Sequence, residues 1–326
     1  MKAAVFKDIK TIEYMEDYPK PSIGPDDALV RVHYCGICGS DIVNFKDKLY
    51  QVPLIMGHEL IGEVVELGEN LTDFIIGDKV VGVNVKLDVT SKQLLGLGVF
   101  IDGGFAEYVK IPKQFLFHAP KSTPLKEGSL VESFSVAVRA VKKSRMEENQ
   151  KVVILGGGSI GMVTLMTILV LKKPEYIVVI EPHEFLRNKA LNLGATAVFP
   201  PSKAQLRKFF RKNGSPNYVF ECAGNEKSFN MAMDIVNRGG SIILEGLSKG
   251  KLIIPLLLIL SKEVNIQGVL SHDREDILDA VKLLDSGKID SSKFISKIIT
   301  LKDIQETFES YLVPGERKFL KIIVEI

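Results

Sequence analysis

The chain has 326 residues, of which 46% are hydrophobic and 25% are charged, values that suit two globular domains and argue against disorder. Its formal net charge is only +2, so composition gives no support to nucleic-acid or anionic-membrane binding. Three cysteines are too few for a disulfide scaffold in a chain of this length.

The N-terminal residues 1–6 read as a short strand and lack the apolar core of a signal peptide. The uncharged segment 152–171 is long enough to cross a bilayer. Its glycines, however, cluster between a β-branched run and a helical run, which favours a strand–turn–helix unit of a buried parallel sheet. We therefore expect a cytoplasmic protein with no membrane partner.

Residues 1 to about 120 are predicted to be mostly β-structure. Alternating apolar and polar residues predict strands at 28–34, 62–68, 79–83 and 105–112, and glycine-containing turns separate them. This pattern predicts an antiparallel, barrel-like domain.

The hydrophobic period changes near Pro124, and residues 125–143 are predicted to form one or two helices. Strands and helices then alternate, which predicts a doubly wound parallel sheet. The predicted strands are 152–155, 176–180, 197–199, 218–221, 241–245 and 265–269, and the predicted helices are 160–171, 184–193 and 226–237.

The C-terminal tail leaves the strand–helix alternation and resembles the first region of the chain again. Its predicted elements are helices at 274–286 and 301–312 and a strand at 319–324. We expect it to pack back onto the first domain. The predicted domains are therefore 1–133 completed by 272–326, and 134–271.

Gly156, Gly158 and Gly161 match the GxGxxG motif of dinucleotide-binding folds. The first glycine makes a tight turn, the second lets the backbone approach a pyrophosphate, and the third lets helix and strand pack closely. Ser159 and Ile160 begin the next helix, whose N-terminus would bind the phosphate. The strand before and the helix after strengthen a motif that is weak by itself.

Glu181 ends the next predicted strand, about twenty residues past the motif, where an acidic residue accepts hydrogen bonds from the adenosine ribose. A carboxylate there repels a 2′-phosphate, so the sequence favours NAD over NADP. Two alternatives stay open: Glu181 as a surface residue, and Arg187 as a partner for a phosphate.

Two short motifs supply candidate metal ligands. Cys38 is followed by Gly-Ser-Asp, and His58 and Glu59 follow a Met-Gly pair. A thiolate, an imidazole and a carboxylate, with a fourth position open, are what a catalytic zinc site needs. Glu132 would complete the shell or hold a zinc-bound water, and Asp41 would fix the tautomer of His58.

Two other interpretations of these residues stay open. Cys38 could be a small buried hydrophobe and His58 a structural residue at a turn. Cys35 and Cys38 also form a CxxC pair, although the Gly-Ser-Asp that follows is not the helix start of a thioredoxin-like redox motif.

Taken in order, these motifs resemble the zinc-containing medium-chain dehydrogenase/reductase superfamily. The stretches that carry the resemblance are 36–41, 57–59, 77–80, 131–138 and 156–161, and they span essentially the whole chain. Cys-Gly-Ser-Asp and Glu-x-x-Ser-Val-Ala-Val are similar to the polyol (sorbitol) dehydrogenase branch.

The resemblance implies an α/β protein with a barrel-like (GroES-like), mostly β catalytic domain and a Rossmann doubly wound parallel-sheet domain, with the active site in the cleft between them. It implies Cys38, His58 and Glu59 as zinc ligands, Glu132 as a ligand or water holder, and Ser40 as a catalytic residue. The implied cofactor-binding residues are Gly156, Gly158, Ser159, Ile160, Gly161, Glu181, Arg187, Gly246, Val269 and Ser271.

Several positions depart from the family pattern. The segment 84–102 contains no cysteine, so one catalytic zinc is expected and no structural zinc. Val43 replaces a relay histidine, which leaves Ser40 and water as the proton route. Ser133 replaces a proline, and Asn44 and Ser271 stand at substrate-facing positions, which makes sorbitol itself a poor candidate substrate.

We therefore expect a zinc-dependent dehydrogenase that moves a hydride between a secondary alcohol, such as a polyol or sugar, and NAD, in a homodimer or homotetramer. The alternatives are a threonine- or simple-alcohol-type dehydrogenase on the same scaffold, and a zinc-less, non-catalytic nucleotide-binding relative.

Overall fold

Antiparallel strands form most of the first part of the chain, where apolar and polar side chains alternate. The computed structural model describes residues 1–83, 96–247, 252–313, 315 and 318–326. Its early elements are β1 (Ala3–Asp8), β2 (Thr11–Met15), β3 (Asp27–Gly36), α1 (Gly39–Asp47), β4 (Leu54–Ile55), β5 (Glu59–Leu67), β6 (Lys79–Gly82), β7 (Tyr108–Pro112) and β8 (Leu116–His118).

Strand β3 organises this region. It pairs antiparallel with β5 along its length, with β7 through its first half, and with the C-terminal strand β16 (Lys321–Glu325) through its second half. Strand β15 (Ile295–Thr300) pairs in parallel with β16. The tail therefore returns to the first part of the chain, and it brings Lys321 beside the segment that leads into Cys38.

Two helices, α2 (Leu125–Gly128) and α3 (Val131–Ser144), precede a parallel sheet. Within the described residues its strand order is β11-β10-β9-β12-β13-β14. These strands are β9 (Lys151–Leu155), β10 (Tyr176–Ile180), β11 (Ala197–Phe199), β12 (Tyr218–Glu221), β13 (Ser241–Leu244) and β14 (Asn265–Gly268). The helices between them are α4 (Ser159–Lys172), α5 (Glu184–Asn192), α6 (Lys203–Asn213), α7 (Glu226–Ile235) and α8 (Leu256–Lys262).

Strand β10 is buried at every residue, and β9 at all but its first. Such strands read as continuous apolar runs because helices cover both faces of a parallel sheet. The segment 152–171, long enough to span a bilayer, is thus one strand, a glycine turn and most of α4. No helix in the described ranges is both long and apolar enough to cross a membrane.

The chain divides into two compact units, one of 1–135, 271–315 and 321–326, and the other of 136–270 and 316–320. The helices of the tail, α9 (Arg274–Asp285) and α10 (Ile304–Leu312), belong to the first unit. The predicted fold class is confirmed. The domain bounds 1–133 with 272–326, and 134–271, stay a prediction.

Several local predictions differ from the structure. Helix α6 was not predicted, because five of its eleven residues are Lys or Arg and only Leu206 is buried. The predicted helix at 301–312 begins as a 3₁₀ turn, Leu301–Asp303, before α10. The segment expected to lack a structural zinc includes residues 84–95, which lie outside the described residues.

We predict that Phe308→Ala lowers the free energy of unfolding by about 3–5 kcal/mol in a denaturant titration. Phe308 on α10 is fully buried, and its ring meets Phe45 on α1 at 5.3 Å and Phe105 at 6.1 Å. The control is Leu191→Ala, since Leu191 is 46% exposed. Equal effects of the two substitutions would show that the tail does not stabilise the unit that carries α1.

Candidate functional site

The local backbone fixes the positions of the three predicted metal ligands. Cys38 is the N-cap residue of α1, and its backbone N–H donates to Asp41 Oδ2 at 2.9 Å. Gly57 has φ +93°, and a Cβ there would lie 2.8 Å from Cys35 Sγ. Only glycine fits this turn, which directs His58 and then Glu59 into the interior at the start of β5.

Cys38, His58 and Glu59 each offer one donor atom, and these atoms all lie within 4.8 Å of one another. In the part of the chain that the structure describes, this is the one group of three or more such side chains. His58 and Glu59 are buried and Cys38 is half-buried. One sulfur, one nitrogen and one oxygen donor form a set that suits zinc and leaves a fourth position for substrate or water.

Asp41 makes the predicted contact with the imidazole: its Oδ1 lies 3.5 Å from His58 Nδ1, and both side chains are buried. Burial lowers the pKa of His58, but the negative charges of Asp41 and Cys38 outweigh it and hold that pKa well above its ordinary value. Burial raises the pKa of Asp41. The pocket therefore favours a positive charge on or beside the imidazole.

Lys321, which sequence reasoning missed, is also part of this cluster. Its side chain is fully buried and forms an ion pair with Glu59 Oε2. Its ammonium group also donates to Ile37 O at 3.2 Å and to Ser133 Oγ at 3.4 Å. A lysine on the last strand carried no motif, and only the pairing of β16 with β3 shows where it lies.

Glu132 lies outside the three-donor cluster. Its Oε1 is 3.5 Å from His272 Nε2, and both side chains are buried. Burial raises the pKa of Glu132, but the hydrogen bond with His272 and the charge of His58 prevail, so its pKa lies below the usual value. No motif pointed to His272, and the fold brings it to Glu132 from far along the chain.

The contacts of Ser40 and Asn44 show where these two predicted site residues lie. Ser40 is half-buried in the first turn of α1, where it hydrogen-bonds the Tyr50 phenol. Burial raises the pKa of that phenol to about 12. Asn44, expected to face the substrate, is fully buried, and its side chain accepts from Tyr50 N at 2.8 Å and donates to Met56 Sδ at 3.2 Å. Asn44 therefore ties the last turn of α1 to Tyr50 and Met56.

The glycine motif lies between β9 and α4, as predicted. Gly156 has φ +100°, and a Cβ on Gly161 would lie 2.0 Å from Gly156 O. Gly158 is the N-cap of α4, followed by Ser159 and Ile160. Backbone N–H groups at such a helix start bind phosphate. The positive φ of Gly156 and the absence of a side chain at Gly161 let the loop pack closely against the start of α4.

Glu181 is buried just after β10 and holds the glycine loop directly. Its Oε2 accepts from Gly157 N at 2.7 Å, and its Oε1 accepts from His183 N at 2.9 Å. Arg187 Nη1 donates to the backbone oxygens of Glu181, at 2.9 Å, and Pro182, at 2.5 Å. The carboxylate is thus fixed beside the loop, while the guanidinium is engaged by carbonyl groups.

The remaining predicted cofactor residues fall at strand ends. Gly246 follows β13, and a Cβ there would lie 2.2 Å from Gly224 N. Val269 N donates to Leu244 O at 2.9 Å and so extends the pairing of β13 with β14. Ser271 has φ +54° and belongs to the other compact unit. Gly246 and Val269 therefore lie at the edge where parallel sheets bind ligands.

Glu245 is a second residue that sequence reasoning missed. It is buried next to Gly246. Its carboxyl oxygens accept hydrogen bonds from Thr164 Oγ1 on α4 at 3.1 Å and from the Cys222 thiol at 3.5 Å. Burial, with a smaller contribution from the Glu221 charge, raises the pKa of this carboxyl to about 8. Glu245 is therefore mostly protonated at neutral pH, and it joins α4 to the ends of two strands.

Comparisons with known proteins agree with this architecture. Residues 24–121 match the family described as the alcohol dehydrogenase GroES-like domain, and residues 160–286 match the zinc-binding dehydrogenase family. The chain is 27% identical to sorbitol dehydrogenase of Homo sapiens over 319 residues, which cover 91% of this chain and 89% of that protein. It is 26% identical to D-xylulose reductase A of Aspergillus niger over 319 residues, with 90% and 89% covered.

Solved structures give the same result. 2R,3R-butanediol dehydrogenase from Bacillus subtilis superposes with a TM-score of 0.89 at 27% identity, covering 100% of this chain and 99% of that one. A zinc-binding dehydrogenase from Sinorhizobium meliloti 1021, solved with NADP bound, superposes with a TM-score of 0.91 at 26% identity and the same coverage.

A GroES-like unit with a Cys-His-Glu cluster and a nucleotide-binding parallel sheet with a glycine turn define a zinc-type dehydrogenase. The chain belongs to the zinc-containing medium-chain dehydrogenase/reductase superfamily, in its polyol dehydrogenase-like branch. It is an enzyme that acts on CH–OH groups.

We predict that the free energy of unfolding of the wild type falls, relative to that of Glu245→Gln, as pH rises from about 4.5 to about 8. Folded Glu245 keeps its proton in this window while the unfolded chain releases it, so rising pH favours unfolding. Above that window the difference is constant. Urea titrations at several pH values should show a loss on the order of a few kcal/mol. Parallel pH profiles for the two proteins would contradict the raised pKa.

Proposed function

We propose that the chain is a zinc-dependent dehydrogenase that transfers a hydride between a secondary alcohol, of the polyol or sugar class, and NAD. The observation that carries the proposal is the convergence of Cys38, His58 and Glu59 in a buried pocket. The substrate class is supported by relatives named for xylulose, sorbitol and L-idonate chemistry.

Zinc would be held by Cys38 Sγ, the His58 imidazole and the Glu59 carboxylate. The donor set fits the ion: one thiol sulfur, one imidazole nitrogen and one carboxylate oxygen lie within 4.8 Å of one another. Bound zinc acts as a Lewis acid toward an alcohol oxygen and stabilises negative charge there. We propose one zinc per chain, since the described residues hold one ligand cluster and the 84–102 segment has no cysteine.

Residues around the proposed zinc ligands orient the imidazole, position the alcohol and carry its proton. Asp41 orients the imidazole through Nδ1. Glu132, held by His272, offers a carboxylate near His58 that can orient a water or a substrate hydroxyl. Since Val43 cannot carry a proton, the Ser40 hydroxyl, hydrogen-bonded to Tyr50, is the proposed first carrier of the alcohol proton.

The preference for NAD rests on Glu181 and Arg187. The Glu181 carboxylate lies beside the glycine loop, where it can accept further hydrogen bonds from ribose hydroxyls and would repel a 2′-phosphate. The Arg187 guanidinium, the group that would favour NADP, is held on two backbone oxygens. A cytoplasmic location stays a prediction.

We predict that Cys38→Ser or His58→Ala abolishes alcohol-dependent NAD reduction while NAD still binds with near-wild-type affinity. The metal ligands and the glycine loop belong to different compact units, so the two losses should separate. Turnover assays, metal analysis and calorimetric NAD titrations check this. A variant that lacks zinc yet keeps most of its activity would refute the zinc-dependent reaction.

We predict that Glu181→Ser combined with Pro182→Arg shifts the ratio of kcat/KM values from NAD toward NADP. The change removes a carboxylate that repels phosphate and supplies a guanidinium that binds it. The shift should reach about tenfold or more, since each 1.4 kcal/mol of discrimination is about tenfold. Wild-type protein that already prefers NADP would show that Glu181 does not select the cofactor.

We also propose that the chain forms a homodimer through β14 and α8. Strand β14 ends the described sheet, and all four of its residues are exposed. Helix α8 has no buried residue, and Leu257 on it is 81% exposed. An open strand edge beside exposed leucines is a surface that a second copy can cover by extending the sheet across a two-fold axis.

We predict that Leu257→Glu shifts the protein from dimer toward monomer in sedimentation velocity. The matched control is Ile75→Glu, which places the same charge at a residue of the other unit that is 70% exposed. Only the first substitution should dissociate the dimer. A wild-type protein that is monomeric at micromolar concentration would remove the proposed interface.

A further inference from the structure

Lys321 is an unusual residue for its environment. Its side chain is fully buried, whereas lysine is almost never fully buried unless it is paired. Its charged partner is Glu59, itself 1% exposed, and its other contacts are the neutral oxygens of Ile37 and Ser133. The ammonium group is therefore committed to one of the three proposed zinc ligands.

The charge balance around Lys321 explains why the pair is tolerated. Lys321 Nζ and Glu59 Oε2 form a direct ion pair between two side chains that are both almost fully buried. Without a cation, the buried Glu59 carboxylate would carry a large desolvation cost with nothing to offset it. In the absence of a metal ion, Lys321 supplies that cation.

We propose that Lys321 is a resident counter-ion of the metal site: it pairs with Glu59 when no metal is bound, keeps the donor atoms together, and lowers the affinity for zinc. The inference rests on the proposed zinc site and adds a control on how tightly that site holds its ion. Lys321 is a positioning residue, since it acts through Glu59 and not on the substrate.

The direction of the effect on metal affinity follows from Coulomb's law. A fixed ammonium beside a ligand carboxylate repels an incoming dication, and both cations draw on the same Glu59 charge. Removing the ammonium should therefore make the folded site a stronger zinc binder, while it makes the metal-free protein less stable. A lysine that only fills space would weaken both properties together.

The experiment compares wild type, Lys321→Met and Lys321→Arg. Zinc affinity is measured by competition with a chelator, and stability by thermal unfolding of chelator-treated and zinc-loaded protein. Lys321→Met should lower the melting temperature of metal-free protein, enlarge the rise that zinc produces, and bind zinc about tenfold or more tightly. Lys321→Arg keeps the charge and should retain the wild-type zinc affinity.

Two further variants keep the test decisive. Lys321→Gln, which can still donate to Ile37 O and Ser133 Oγ, replaces the methionine variant if that chain does not fold. Lys262→Met is the control for losing a hydrogen-bonded, half-buried ammonium elsewhere, because Lys262 donates to backbone oxygens of Met233, Asp234 and Val236 in the other unit. It should lower stability and leave zinc affinity unchanged.

A double-mutant cycle tests the pair itself. Glu59→Gln should destabilise the metal-free protein by leaving Lys321 without its charged partner, and adding Lys321→Met should recover part of that loss. Additive losses would overturn the pairing.

Zinc affinity that is equal or weaker in both Lys321→Met and Lys321→Gln would overturn the inference, even if the wild type binds zinc. A wild-type chain that binds no zinc would instead overturn the proposed zinc site, and this inference with it.

Discussion

Buried charge is stable only when it is paired, and this constraint sets the arrangement of the GroES-like unit. Asp41, His58, Glu59 and Lys321 are all almost wholly inaccessible to solvent, and each lies beside a group of opposite or compensating charge. The compensation requires the last strand of the chain to return and pair with β3. The proposed metal site thus depends on a residue far from the motifs that define it.

The dinucleotide-binding unit follows a different constraint, the close approach of backbone to backbone. Gly156 and Gly161 exclude any side chain, and Glu181 fixes the loop between them through Gly157 N. Glu245, which is mostly protonated at neutral pH, joins α4 to the strand ends. The N–H groups at the N-terminus of α4 suit an anionic cofactor.

Motifs with local causes were predictable from the sequence. The glycine turn, the strand before it and the Asp41 bond to the Cys38 N–H depend on neighbours in the chain, and each is present. Lys321, His272 and Glu245 were missed because their importance comes from partners brought near by the fold. Lysine on a terminal strand and glutamate after an apolar strand look like ordinary surface residues until the pairing of strands is known.

The proposed reaction requires Cys38, His58 and Glu59 to bind one metal ion. The most direct measurement is a titration of metal-free protein with cobalt(II), followed by absorption spectroscopy, since cobalt occupies zinc sites and reports thiolate ligation through a charge-transfer band. We expect a band that saturates at one equivalent per chain and disappears in Cys38→Ser. Absence of the band, or its persistence in that variant, would show that Cys38 does not bind the metal ion.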